Sequence, residues 1–113
     1  MSAGGQARLW LAQRVSAMFL AVFVAVHLAT IIYAVGGGLA AGDILARTRG
    51  SVAVAVFYGA FVLAAASHGG IGLRTIFIEW LRLRAPAAGM AALMAAVTLA
   101  ALGLRAVIAV VAA

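Results

Sequence analysis

The sequence predicts an all-α membrane protein that crosses the bilayer with three transmembrane helices, in one domain that covers residues 1–113. Of these residues, 68% are hydrophobic and only 9% are charged. That is too little polar surface to cover a soluble domain of this length. In addition, three apolar runs each reach the roughly 20 residues that a helix needs to cross a bilayer. Glycine-rich or basic connections separate the runs, so each run is interpreted as one span.

The predicted spans cover residues 13–35, 51–73 and 90–113, with Arg105 as an interruption of the third span. The first connection, GGGLAAGDILARTRG, is predicted to be a glycine-rich loop. The second connection, RTIFIEWLRLRAP, is basic and amphipathic and ends at Pro86. The chain has no cysteine, which excludes disulfides and Cys-bound zinc or iron–sulfur clusters.

The placement of arginines predicts the orientation in the membrane. With three spans, the N-terminus and the second connection share one side of the bilayer. That side carries five arginines, and the other side carries two: Arg8, Arg14, Arg74, Arg82 and Arg84 against Arg47 and Arg49. The positive-inside bias therefore places the N-terminus in the cytoplasm, in a multi-pass protein of the cell inner (cytoplasmic) membrane. The net charge of +6 is spread over flanks and loops, so it indicates topology and a docking surface and no nucleic-acid partner.

Few polar residues lie inside the predicted spans, and the main ones are His27, Ser67, His68 and Arg105. Polar groups at membrane depth are costly and usually face a partner or a cofactor. An imidazole in lipid can hydrogen-bond to a neighbouring helix, relay protons, or ligate a metal or haem. The residue types alone leave these three uses open for both histidines.

The surroundings of His68 favour a flat ligand with carboxylates at one edge. Gly72 lies one helical turn beyond His68 on the same face and would let a flat macrocycle approach the helix. Arg74 lies about 9 Å nearer the predicted cytoplasmic side, where a guanidinium would suit haem carboxylates. The alternatives are that Gly72 permits close helix packing and that Arg74 is an interface anchor.

The segment HGGIGLR followed by TIFIE has the pattern H-x3-G-x-R-x4-[DE]. It resembles the second transmembrane helix of the cytochrome b anchor subunits of succinate dehydrogenase and fumarate reductase. The resemblance implies that His68 is an axial ligand of haem b. It also implies that Gly72, Arg74 and Glu79 occupy the remaining positions of the motif, with glutamate where the family often has aspartate.

A second segment, QRVSAMFLAVF, resembles the H-R-V-S-G entry segment of the first helix in the same family. The resemblance implies that Arg14 and Ser16 lie close to the quinone and the haem propionates. The sequence departs from the family pattern in having Gln13 and Ala17 where the family often has His and Gly.

The resemblance implies a non-catalytic electron-transfer subunit of a respiratory oxidoreductase that also serves the tricarboxylic acid cycle. An iron–sulfur subunit and a flavoprotein subunit on the cytoplasmic side would exchange electrons with membrane quinone through this chain. The flavoprotein would handle succinate or fumarate. A six-coordinate haem needs two axial ligands, so a second membrane anchor chain, or a second copy of this chain, would complete a larger helical bundle.

His27, about midway along the first span, has two interpretations. It is either a ligand of a second haem, with Thr30 beside it to orient the ring, or a helix-packing residue, so that the chain binds one or two haems. Two other functions also stay open. One is a haem-free membrane anchor or packing subunit of a respiratory complex. The other is a small oligomeric transporter, which is disfavoured because Asp43 and Glu79, the two acidic residues, lie outside the predicted spans.

Overall fold

The computed structural model describes residues 2–113, and every regular element in that range is a helix. The elements are α1 (Ala3–Gly37), α2 (Ala41–Thr48), α3 (Val52–Glu79) and α4 (Ala85–Val111). Three of them, α1, α3 and α4, are long and apolar enough to cross a membrane, whereas α2 is short. The predicted all-α fold with three spans is confirmed.

Helix α3 lies between α1 and α4 and packs against both, whereas α1 and α4 barely touch. The bundle is elongated, with extents of 49 × 24 × 22 Å. We call the end that holds the N-terminus and the α3–α4 connection the N-terminal end, and the opposite end, which holds α2, the α2 end. The two sides of α3 differ in how they pack.

Helices α3 and α4 meet through small residues. The buried residues of the two helices are Ala66, Gly70, Ala88 and Ala92. A Cβ atom built on Gly70 would lie 2.9 Å from Ala96 Cβ, which is closer than two carbon atoms pack. Small residues let two helix backbones approach closely, and van der Waals packing then holds the helices together inside a bilayer.

Helices α1 and α3 meet through aromatic rings. Phe23 of α1 stacks on Phe61 with ring centroids 5.6 Å apart, and it meets Phe57 edge-on at 5.2 Å. Tyr58 stacks on Phe61 at 6.1 Å. Offset-stacked and edge-to-face rings are the arrangements that the aromatic quadrupole favours. With this aromatic cluster between them, the backbones of α1 and α3 accordingly approach each other closely at fewer positions than those of α3 and α4.

All three spanning helices are longer at the N-terminal end than the predicted spans. Helix α1 begins at Ala3 and not near residue 13, because Ser2 Oγ accepts a hydrogen bond from Gly5 N at 3.1 Å and caps the first turn. Helix α3 continues to Glu79 and does not end near residue 73. Helix α4 begins at Ala85, with Pro86 in its first turn, where a missing N–H costs nothing. Hydropathy marks the part of a helix that lies in lipid, not the ends of the helix.

The predicted glycine-rich loop is wrong in its middle, where α2 forms. Asp43, assigned to a loop, lies in the first turn of α2, and its Oδ2 accepts a hydrogen bond from Ala40 N at 3.2 Å. A carboxylate there also interacts well with the helix dipole. Arg47 lies in the last turn and donates from Nη2 to Gly38 O at 2.8 Å. Both charged side chains thus bond the backbone of the short segment that connects α1 to α2.

Helix α2 is fastened to the end of α4. Thr48 Oγ1 donates to Val110 O at 2.6 Å, and Gly50 N donates to Val111 O at 2.8 Å. These two bonds satisfy carbonyl groups in the last turn of α4 that have no partner within the helix. Gly50 adopts φ +70°, a left-handed conformation that favours glycine, and so lets the chain turn into α3.

Candidate functional site

His68 is bonded across the interface between α1 and α3. Its Nδ1 lies 3.2 Å from Ser16 Oγ, and Ser16 Oγ also donates to Gln13 O at 3.1 Å. Ser16 is only 8% exposed and is the one buried polar residue in the part of the chain that the structure describes. The fold thus brings together two site residues that were predicted from separate segments of the sequence.

A groove of about 550 Å³ opens beside His68. One face of α1 forms its other wall, where Trp10, Gln13, Arg14 and Ala17 line the space. The Arg14 guanidinium carbon lies 4.7 Å from the centroid of the Trp10 ring, a cation–π arrangement that holds the side chain at the groove. The groove therefore combines an imidazole, a permanent positive charge and apolar walls.

Arg74 lines an adjoining groove of about 440 Å³, nearer the N-terminal end. Gln13 lines both grooves, and Glu79 shares the second groove with Arg74. Because α3 continues to Glu79, both Arg74 and Glu79 lie on a helix and not in the connection that was predicted from the sequence. The motif residues His68, Arg74 and Glu79 thus follow one helix towards one end of the bundle.

Gly72 faces the side chain of Gln13. A Cβ atom built on Gly72 would lie 3.4 Å from Gln13 Nε2, so the absence of a side chain at Gly72 leaves room for the Gln13 amide. The role of Gly72 towards a macrocycle stays a prediction. Gln13 Oε1 is buried and has no hydrogen-bond partner among the described residues. An unpaired buried acceptor costs about 1–3 kcal/mol, which favours a donor that comes from outside this chain.

His27 lies at a different position along the length of the bundle from His68, nearer the α2 end, so the two histidines define two levels. Its Nδ1 is 3.0 Å from Tyr58 Oη, and Tyr58 Oη is 3.2 Å from Thr30 Oγ1. Thr30 Oγ1 in turn donates to His27 O at 2.7 Å. Thr30 was predicted from the sequence as a neighbour of His27, whereas Tyr58 was not. The signal for Tyr58 was a hydroxyl inside a predicted span, which needs a partner for the same reason as the histidines.

His27 and His68 lie too far apart to ligate one metal ion. Ser16 and His27 on α1, like Tyr58 and His68 on α3, are separated by ten or eleven residues, which at 1.5 Å per residue is about 15 Å. Two imidazoles on one metal each place a ring nitrogen about 2 Å from it. Phe61 of the aromatic cluster contacts the His27 ring, and Phe23 stacks on Phe61. Aromatic rings therefore fill the interface between the levels of His27 and His68.

Three apolar spanning helices, with imidazoles bonded between two of them, define a small multi-pass membrane protein with polar sites inside its helix interface. The chain matches the family model of the succinate dehydrogenase/fumarate reductase transmembrane subunit over residues 1–109, and it belongs to this family. The resemblance found in the sequence is thereby confirmed. Members of this family are subunits of a larger complex. No curated protein and no solved structure matches the chain significantly.

Proposed function

We propose that this chain is the haem b-containing membrane anchor of a succinate dehydrogenase/fumarate reductase complex, and that it passes electrons between an iron–sulfur subunit and membrane quinone. The observation that carries the proposal is the groove that joins His68 and Arg14 at the interface between α1 and α3. Family membership supports the complex. The chemistry of the groove supports the haem.

The residues present fit a haem. A haem iron takes four ligands from the macrocycle, so the protein has to supply only axial ligands. A cluster of three or more metal-binding side chains, which residues 2–113 do not contain, is therefore not required. The groove of about 550 Å³ lies within the usual range of ligand pockets, about 300–1,000 Å³. Bound haem supplies one-electron transfer.

In this proposal His68 would be an axial ligand of the haem, and Arg14 and Arg74 would face the haem propionates or the quinone headgroup. A planar guanidinium pairs with a carboxylate through two parallel hydrogen bonds, which makes arginine the suitable residue for this task. The second axial ligand would come from outside this chain, since the other histidine, His27, lies about 15 Å away along the helices. A second anchor chain, or a second copy of this chain, would supply that ligand and complete a larger helical bundle.

We propose that quinone binds at the N-terminal end, in the adjoining groove lined by Gln13 and Arg74. Quinone carbonyls accept hydrogen bonds and quinol hydroxyls donate them. The Gln13 amide can do both, and its Oε1 lacks a partner. The positive-inside bias of the arginines supports a cytoplasmic location for this end. The exposed residues Glu79, Arg82 and Arg84 would then dock the iron–sulfur subunit, which the flavoprotein subunit reduces or oxidises.

His27 is proposed as a ligand of a second haem. A cavity of about 390 Å³ at the α2 end is lined by His27, Thr30, Tyr58 and Arg47, among mostly apolar side chains. It holds the same combination of imidazole and guanidinium as the groove at His68. The competing interpretation is a packing role, since the bond to Tyr58 satisfies the ring by itself.

The test is a dithionite-reduced minus oxidised spectrum of the purified complex, with a pyridine haemochrome assay to count haem. We expect a b-type spectrum in the unaltered complex and its loss or marked change in His68→Leu, with the chain still inserted. Ser67→Ala is the matched control, because the Ser67 hydroxyl bonds only to Leu63 O of its own helix. An unchanged spectrum and midpoint potential in His68→Leu would refute ligation by His68. A complex without haem would favour the haem-free anchor.

A further inference from the structure

We infer that Ser16 is a positioning residue that holds the proton of the His68 ring on Nδ1 and leaves Nε2 with a free lone pair. A free ring nitrogen is what a metal ion or haem iron requires of a histidine. The consequence for the iron deepens the proposed function and rests on it. The state of the ring itself follows from this chain's own hydrogen bonds and holds with or without a bound group.

The direction of the hydrogen bonds decides the state of the ring. A serine hydroxyl has one proton, and a backbone carbonyl can only accept. The bond from Ser16 Oγ to Gln13 O at 3.1 Å uses that proton. The second bond of Ser16 Oγ, 3.2 Å to His68 Nδ1, then forms only if Nδ1 carries a proton and donates. Because a neutral imidazole has a single N–H, Nε2 is the unprotonated nitrogen.

Other hydroxyls in this chain show that the serine proton goes to the backbone. Ser67 and Thr75 of α3 and Thr98 of α4 each donate to a carbonyl one turn earlier in their own helix. This back-bonding is the usual behaviour of serine and threonine inside helices. Ser16 does the same but is buried, so water does not compete for its oxygen. Its remaining lone pairs are available to the ring of His68.

The second histidine repeats the arrangement independently. Thr30 Oγ1 donates to His27 O, so Tyr58 Oη has to donate to Thr30. The proton of Tyr58 is then used, and His27 Nδ1 has to donate to Tyr58 Oη. This is the only assignment of protons that makes all three bonds at once. Each histidine is thus bonded through Nδ1 to a hydroxyl on the opposite helix, and each proton chain ends on a carbonyl of α1.

The first experiment determines which nitrogen of the His68 ring carries the proton, in the chain without haem. The full-length chain is labelled with ¹⁵N-histidine, placed in lipid bilayers and measured by solid-state NMR, with His27→Gln used to isolate the His68 signals. We expect a protonated Nδ1 and an unprotonated Nε2. Ser16→Ala should shift the population towards the Nε2-protonated form, whereas Ser16→Thr and Ser67→Ala should leave it unchanged. The inference would be overturned by a ring protonated on Nε2 in the unaltered chain, or by tautomer populations in Ser16→Ala that are the same as in the unaltered chain.

The second experiment measures the assembled complex by redox titration and by haem retention during dilution. Loss of the acceptor for Nδ1–H makes an imidazole a weaker electron donor, so Ser16→Ala should raise the midpoint potential. Loss of such partners typically weakens metal binding about 10–100-fold, which predicts faster loss of haem. Ser16→Thr should have the midpoint potential and the haem retention of the unaltered complex. If Ser16→Ala does not assemble, Ser16→Cys replaces it, and this weaker acceptor should raise the midpoint potential by a smaller amount.

The two experiments separate the two claims. An unaltered midpoint potential and haem retention in Ser16→Ala would overturn the consequence for the iron. A haem-free complex whose NMR signals still depend on Ser16 would refute the proposed haem function and leave the inference about the ring intact.

Discussion

The side chain of Val62 in α3 fills the space next to Gly103 of α4 where any other residue would carry its Cβ atom. A Cβ atom built on Gly103 would lie 2.6 Å from Val62 Cγ1 and 2.8 Å from Cγ2. Val62 cannot turn aside freely, because a β-branched side chain in a helix has one strongly preferred rotamer. The interface between α3 and α4 is therefore close-packed at this level, as it is at Gly70.

Replacing Gly103 with alanine should push α3 and α4 apart. We expect a loss of about 1–3 kcal/mol in the free energy of unfolding, the usual cost of overpacking a tight interface, measured by SDS titration in mixed micelles. Gly59→Ala is the matched control, because nothing lies within 4 Å of its Cβ position. The control should be neutral or more stable by up to about 1 kcal/mol. Equal effects of the two substitutions would contradict the close packing.

Replacing Thr48 with valine should loosen α2 from the end of α4. The change removes the donor to Val110 O and should cost about 1 kcal/mol, the net value of one hydrogen bond. The measurement is hydrogen exchange at the amide of Gly50, which bonds the neighbouring carbonyl and should exchange faster. Thr98→Val removes a hydroxyl bonded within its own helix and should leave that amide unchanged. No difference between the two variants would count against the attachment.

Replacing His27 with leucine distinguishes its two interpretations. If His27 ligates a second haem, we expect the haem-to-flavin ratio of the complex to fall from about two to about one, since each haem needs its own axial ligands, and one of two redox transitions to disappear. The measurements are the haemochrome assay and a redox titration. Tyr58→Phe is the comparison variant, because it removes only the hydroxyl bonded to His27 Nδ1 and keeps the histidine, so it should keep both transitions and weaken the binding of the second haem. A His27→Leu complex with full haem content and both transitions would assign His27 to packing alone, at a cost of about 1 kcal/mol.

Replacing Arg14 with leucine should impair quinone reduction more than electron transfer to a soluble dye. The loss of one charge-assisted hydrogen bond, about 1.5–3 kcal/mol, predicts a fall of roughly tenfold or more in the quinone reaction. Arg8→Leu removes the same charge from an exposed position earlier in α1 and should change neither reaction by that amount. An equal loss in both assays for Arg14→Leu would indicate defective assembly.

The sequence predicted the spans and singled out both histidines, because lipid demands long apolar helices and a polar side chain inside such a helix stands out from its neighbours. It did not predict α2, since eight residues give too short a pattern and the capping by Asp43 depends on where the preceding helix ends. It also did not predict that Ser16 meets His68 or that Tyr58 meets His27. Those contacts depend on the rotation of α1 against α3, which is set by the aromatic cluster and not by the spacing of residues along either helix.

Because α3 lies in the centre, the bundle has two unlike interfaces. The one between α3 and α4 is close-packed, and the one between α1 and α3 is formed by rings and hydrogen bonds. At Gly70 the backbones of α3 and α4 lie so close that one added carbon would come 2.9 Å from Ala96 Cβ, and such close packing resists rotation of α3 against α4. We therefore expect relative sliding within the bundle to occur first at the interface between α1 and α3. Hydrogen bonds and offset rings tolerate small displacements better than interlocked backbones do. The two histidines lie in that interface. A shift of α1 along α3 by a fraction of a helical turn would therefore change the distance from Ser16 to His68.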